Sequence, residues 1–326
     1  MNVRVTRMAT ALLAGTLLVV LVGCRAADDD DISVPVETAT PTLTPTRTAT
    51  PAPTATPSPT PIPTPAAAVG FDQLEAELNT AVQDYWVDGN FAFAVTDLQT
   101  RMTIGVNMDR PQYSGCVANL FVLMAATDQL ANGRLSLSDV GYLISSTTWS
   151  SNATSAKEIV RILGDGDVLA GTQFVGDYVK RFELGGAVVW DHPPLYSGYS
   201  LQVDDNNWVT AAAMNEVLER FWFGQVLPEP WRSYLLDELE EVKWGLNYLT
   251  AAVPARVSHK NGFFWSSEGY VDNDTGIVRF LGSTSGTEYA YAVTFLSEGV
   301  RVKYADITLA QQLMRLTHNF FAETYQ

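Results

Sequence analysis

Ten of the 16 prolines fall between Pro35 and Pro65, in Thr/Pro alternation such as Pro57-Ser58-Pro59-Thr60-Pro61. Proline fixes φ and removes a backbone donor, so this stretch extends as polyproline II and builds no core. Every packed element must therefore come from residues 71–326. That length is near the upper size for one hydrophobic core, which predicts a single domain in two lobes. The chain is 47% hydrophobic and 17% charged, enough to bury a core, and this excludes disorder throughout. With 36 acids against 20 bases the net charge is -16. Such a field repels phosphate backbones, so nucleic-acid binding is excluded as a function class.

Arg4 and Arg7 precede a weakly polar run from Met8 to Gly23. It is shorter than the ~20 residues of a membrane span and fits a secretory signal. It ends in Leu21-Val22-Gly23-Cys24, which resembles a bacterial lipobox. The expected organisation is a signal peptide over 1–23, a lipidated Cys24 with a tether over 24–70, and a domain over 71–326. Roughly thirty tether residues at ~3.1 Å each reach about 90 Å if straight. The expected location is the outer side of a bacterial membrane, in the cell envelope. With Cys24 lipidated, Cys116 is the one thiol left, and no intrachain disulfide is expected.

Periodicity predicts a helix over Phe71–Trp86 and a hairpin over Phe91–Val95 and Met102–Val106. Leu120–Leu130 is almost wholly apolar, so that helix should be buried on every side. Further helices are predicted over Ala156–Leu163, Val168–Phe182, Thr210–Phe223 and Pro230–Glu241. Three strands follow over Ala255–Phe264, Gly276–Phe280 and Tyr289–Phe295, then a helix over Ile307–Tyr325. Strands at both sequence ends with helices between them predict an α+β fold: an antiparallel sheet lobe built from both termini, with a helical lobe inserted. A cleft between the lobes is the default site.

Several phrases resemble the serine β-lactamase and penicillin-binding protein superfamily, closest to class A β-lactamases. Val95-Thr96-Asp97-Leu98 and Gly105-Val106-Asn107 look like its first hairpin. Asn132-Gly133-Arg134-Leu135 looks like the segment after its active-site helix. Ser150-Ser151-Asn152 matches Ser-x-Asn, and His259-Lys260-Asn261-Gly262 matches the Lys-Thr-Gly strand. The resemblance covers about residues 71–325. It implies a fold that hydrolyses or is acylated by β-lactams, or that acts on D-Ala-D-Ala peptides. No cofactor and no metal is expected. The three scattered histidines offer no His-x-x-x-His spacing, and His192 beside Asp191 reads as a loop residue.

In that family a nucleophile at a helix N-terminus gains from the dipole, and a Lys one turn on takes its proton. The resemblance gives Ser150 the proton relay, Asn152 a ligand amide contact, and Lys260 and Gly262 the ligand carboxylate. It gives the backbone N–H groups of Cys116 and Phe263 the oxyanion hole. The departures are chemical. Cys116-Val117-Ala118-Asn119 stands where the family has Ser-x-x-Lys. A neutral amide accepts no proton near pH 7, so Asn119 is no base for Cys116, whose thiol would ordinarily titrate near ~8.5. Asn261 replaces the Thr of Lys-Thr-Gly and can still donate from its amide. No Glu-x-x-Leu-Asn segment is present: Gly185-Gly186 follows Glu183.

The catalytic positions are therefore Cys116, Asn119 and Ser150, and the substrate-binding positions Asn152, Lys260, Asn261, Gly262 and Phe263. The expectation is a membrane-anchored β-lactamase-like lipoprotein with impaired catalysis, binding a β-lactam or a peptidoglycan stem peptide. One alternative is an acyl hydrolase or D-Ala-D-Ala peptidase that uses Cys116. Another is a non-catalytic surface interaction module.

Overall fold

The computed structural model describes residues 70–195, 206–243, 245, 246, 248, 249, 252–266 and 268–326, with only the backbone of Ser266. The expected signal peptide, Cys24 and tether lie outside these residues.

Strand β1 (Asn90–Asp97) forms a hairpin with β2 (Thr103–Val106), Phe93 opposite Val106. Near the other end of the chain, three strands make a meander. These are β6 (Arg256–Ser266), β7 (Gly269–Leu281) and β8 (Glu288–Glu298). Strand β8 pairs with β1, Phe93 opposite Phe295, so the antiparallel order is β2-β1-β8-β7-β6. Both sequence ends thus build one sheet.

The alternation of side-chain size along the strands sorts the two faces. Phe91, Phe93, Val95, Tyr291, Val293 and Phe295 share a core with helices α1 (Phe71–Gln83) and α8 (Ala305–Thr324). Ala92, Ala94, Ala290 and Ala292 point the other way, into the second core. Their small size lets helix α6 (Ala211–Trp222) lie close against β1 and β8.

The inserted lobe gathers around α2 (Asn119–Ala131), whose residues Asn119 to Thr127 are all buried. A helix apolar on every side is stable only when enclosed, and α4 (Ala153–Leu163), α5 (Val168–Lys180) and α7 (Trp231–Glu238) enclose it. A small sheet lies between the lobes, in the order β3 (Gln112–Tyr113), β5 (Trp208–Val209), β4 (Val188–Val189).

Two features differ from the sequence reading. Helix α3 (Leu137–Ser150) was not anticipated in a segment rich in Ser and Thr. Its start is secured by Asp139, which accepts from the Ser136 N–H at 2.8 Å and hydroxyl at 2.7 Å, and by burial of Val140 and Ile144. Strand β7 begins seven residues before the predicted Gly276, because its polar stretch is buried with partners. Asn273 donates to the Tyr113 and Ser114 carbonyls at 2.7 and 3.1 Å.

Within β7, Asp272 is sealed against Asp306, the second residue of α8. Asp306 accepts from the Ser297 hydroxyl at 2.7 Å and from the Ile307 N–H. No donor reaches either Asp272 oxygen in good geometry. Burial, and then the neighbouring Asp306 charge, push the Asp272 carboxyl far above its ordinary range. The folded chain therefore holds a proton on this carboxyl pair more tightly than the unfolded chain does. A folded-state pKa above the unfolded value means that the native chain holds the extra proton. This contribution to stability is complete below the ordinary carboxyl pKa and is lost as pH rises above it. Asp272→Asn keeps a donor and cannot ionise. The variant should gain at least ~1 kcal/mol over the parent between pH 4 and pH 8, one pKa unit being worth about 1.36 kcal/mol. Denaturant midpoints at several pH values check this, and parallel profiles for the two proteins would refute it.

Candidate active site

The lobes meet where a 3₁₀ turn, Gly115–Ala118, leads into α2 and packs on β6. The approach is close. A Cβ on Gly262 would lie 2.6 Å from the Cys116 backbone nitrogen and 2.8 Å from that of Val117. Glycine is needed here for space.

From the other side comes the junction between α3 and α4. Ser150 ends α3, and its hydroxyl donates back to the Ser146 carbonyl at 3.2 Å. Ser151 follows in the left-handed region, φ 53° and ψ 38°, which non-glycine residues seldom adopt. Asn152 caps α4, its Oδ1 accepting the Ser155 N–H at 3.0 Å.

Strand β6 is the sheet edge, and its outer groups face this junction. The His259 N–H donates to the Leu239 carbonyl at 2.9 Å. The Asn261 carbonyl accepts from the Ser151 hydroxyl at 3.3 Å. In an antiparallel strand, alternate residues turn both N–H and C=O to the same edge. The Phe263 N–H therefore points outward as well, beside the 3₁₀ turn.

Lys260 is 1% exposed. Its Nζ donates to Ser151 Oγ at 2.5 Å and to the Asn261 carbonyl at 2.6 Å. Burial pulls the pKa down to about 7, against the opposing pull of the Asp274 charge. Asp274 itself bonds His259 Nδ1 at 2.8 Å and accepts the Leu249 N–H at 3.1 Å.

Between the lobes opens a cleft of about 490 Å³, a size suited to a small ligand. Among the sequence-predicted residues, Cys116, Ser150, Asn261 and Phe263 line it. Asn119, Asn152, Lys260 and Gly262 do not line it. Asn119 opens α2 with its Nδ2 buried and lacking an acceptor. The lining residues not foreseen include Ser151 and Lys243. Ser151 is the x of Ser-x-Asn, and no sequence signal marks Lys243. Among the described lining residues there is no Asp or Glu, and Lys243 is the single charged group. Glu183 is exposed beyond the end of α5.

Cys116 is disulfide-bonded in this structure, whereas the expectation of no such bond applies to a chain lipidated at Cys24. The other cysteine of the sequence, Cys24, lies outside the described residues. While oxidised, Cys116 is no nucleophile. Trp190 is buried and donates to the Thr172 carbonyl at 3.1 Å. His192 is a buried loop residue, with Asn207 bonding both its N–H and its carbonyl. Tyr196 and Tyr199 lie outside the described residues. Among the described residues, no group of three His, Cys, Asp or Glu is placed to hold a metal.

The family model described as the beta-lactamase enzyme family matches residues 140–321, more than half of the chain. The chain belongs to that family. Solved structures agree on the fold. The TLA-3 extended-spectrum beta-lactamase superposes with a TM-score of 0.66 at 17% identity, over 78% of this chain and 100% of its own. A beta-lactamase from Chitinophaga pinensis gives 0.63 at 19% identity, over 76% and 98%. A class A representative from Bacteroides cellulosilyticus gives 0.64 at 17%, over 77% and 98%. No curated protein matches the sequence.

The family match begins inside α3, so Cys116 and Asn119 fall before it. The matched part contains both Ser151 and the Lys260 strand. The close packing beside it sets a requirement. Gly262→Ala should destabilise the domain by about 1–3 kcal/mol through overpacking. Urea unfolding reads this directly, and a stability equal to the parent's would mean that β6 and the 3₁₀ turn are not in tight contact.

Proposed function

We propose that the domain binds a β-lactam, or a cell-wall peptide of similar shape, without the turnover of an active β-lactamase. The observation that carries this is a cleft of ligand size between Ser150, Ser151, Asn261 and Phe263, beside the 3₁₀ turn that carries Cys116 and the helix that Asn119 opens. The family fold supplies the cleft. The missing base, and the absence of Asp or Glu among the described lining residues, support the loss of the usual acylation and deacylation. Lys243 gives the cleft a positive charge in a chain of net charge -16. This supports an anionic ligand, since a cleft of one sign concentrates the opposite sign.

A fluorescent penicillin titrated into the domain should show saturable anisotropy, while a chromogenic cephalosporin is not steadily hydrolysed. Lys243→Gln should weaken binding several-fold, consistent with up to ~1 kcal/mol for an exposed charge contact. Absence of saturable binding would remove the ligand assignment. Fast cephalosporin hydrolysis would remove the claim of impaired turnover.

The placement proposed for the domain is outside a bacterial membrane, held by a lipid on Cys24 through the Thr/Pro spacer. The support is the Leu-Val-Gly-Cys ending of the apolar segment. Two or three acyl chains would anchor it firmly, each buried CH₂ contributing ~0.8 kcal/mol. Lipidation and an intrachain disulfide each consume the Cys24 thiol and exclude one another, so the intact mass of the mature chain separates them. Cys24→Ala should move the protein from the membrane fraction to the soluble fraction. An unchanged distribution would count against the anchor.

A further inference from the structure

The proton acceptor missing beside Cys116 has a counterpart on the opposite wall of the cleft. Lys260 Nζ lies 2.5 Å from Ser151 Oγ. Ser151 lines the cleft, and Lys260 is enclosed behind it. The Asn261 carbonyl accepts from both groups, at 2.6 Å from Nζ and 3.3 Å from Oγ, and so fixes their mutual orientation. Ser151 also occupies a left-handed backbone conformation at a sharp turn between two helices. Strain of this kind is retained where surrounding structure enforces it, and it often marks a working residue. The outward N–H of Phe263, two residues beyond Asn261 on the same strand edge, is a donor beside the same cleft.

We propose that Ser151 is an acyl-accepting nucleophile and Lys260 its general base. This goes beyond ligand binding and places the reactive hydroxyl at the junction of α3 and α4 rather than the nucleophile position before α2. A Ser–Lys pair of this kind requires a lysine that is neutral near pH 7. Burial brings Lys260 to about 7, so a large fraction of it is a free amine there.

The step balances with the groups present. A lone pair on Ser151 Oγ forms the bond to the carbonyl carbon of an activated ester or lactam. The hydroxyl proton passes to Lys260 Nζ, and the carbonyl π pair moves to oxygen. The Phe263 N–H is the nearby donor for that oxyanion. As the carbonyl re-forms, the bond to the leaving oxygen or nitrogen breaks with its electron pair. A leaving amine takes the proton back from Lys260, whereas a phenolate departs as the anion. The product is a serine ester on Ser151.

The test uses p-nitrophenyl acetate, which depends little on lactam recognition. The folded domain is mixed with the ester, nitrophenolate release is followed, and the acetylated peptide is located by mass spectrometry. Ser151→Gly suits the left-handed φ and should fold. It is expected to lose at least tenfold in release rate, and the acetyl group should map to Ser151 in the parent. Lys260→Met should lose the reaction as well. If that variant fails to fold, the Ser151→Gly comparison still decides. No acetylation, an acetyl group on Cys116 or a lysine instead of Ser151, or equal rates in parent and Ser151→Gly would overturn the assignment. Failure of penicillin binding with Ser151 still acetylated would count against the ligand reading only. Penicillin binding without acetylation would count against the nucleophile only.

Discussion

Lys260 crosses from the edge of the sheet lobe to the turn that joins two helices of the other lobe, and the geometry of the cleft follows from that reach. Its ammonium has been taken almost wholly out of water. What it receives in return is a serine hydroxyl and a backbone carbonyl, with Asp274 supplying a charge nearby. Neither direct partner carries a formal charge. The free energy of ionisation is therefore only partly restored, and the lysine becomes easy to deprotonate. The same contacts fix Ser151 against β6, while Gly262 allows the 3₁₀ turn before α2 to approach the neighbouring backbone. Three stretches remote in sequence meet because of one long side chain and one missing side chain.

Much of the fold was legible because its signals are strong and local. The almost wholly apolar run at Leu120–Leu130 fixed the enclosed helix, and the strands at both sequence ends fixed a sheet shared by the termini. Strand β7 was read too short because Asp272, Asn273, Asp274 and Thr275 look like a turn. They are buried strand residues whose polar atoms are largely met by other elements. Helix α3 was missed for a similar reason. Gly141 and its Ser and Thr residues have weak helix propensity, and the packing of Val140 and Ile144 outweighs it. The Ser136–Asp139 cap was the one local clue.

The site was legible at the level of strands and turns. Matching motifs brought Cys116, Ser150, Asn261 and Phe263 to one cleft. Reading individual side chains was harder. In a turn such as Ser150-Ser151-Asn152 the hydroxyl that faces the partner strand depends on a single backbone dihedral. Ser150 still has helical geometry and bonds back to Ser146, whereas Ser151 has swung to positive φ and meets Lys260. No spacing rule distinguishes the two. The burial of Lys260 was equally hidden, since it depends on what covers the sheet edge.

The energetics bear on what the Lys260 arrangement is for. As a source of stability it is poor, because enclosing an ammonium costs several kcal/mol and neutral partners return only part of that cost. An apolar side chain of similar length would fill the same space without the desolvation. What an apolar side chain lacks is a lone pair that becomes available near neutral pH. At the start of α2 the opposite substitution has occurred: an amide, which accepts no proton, occupies the position one turn after Cys116. Beside Ser151, proton-accepting capacity thus resides on the sheet edge and not at the helix start. Acyl chemistry at Ser151 would draw on Lys260, the amine in direct contact with its hydroxyl.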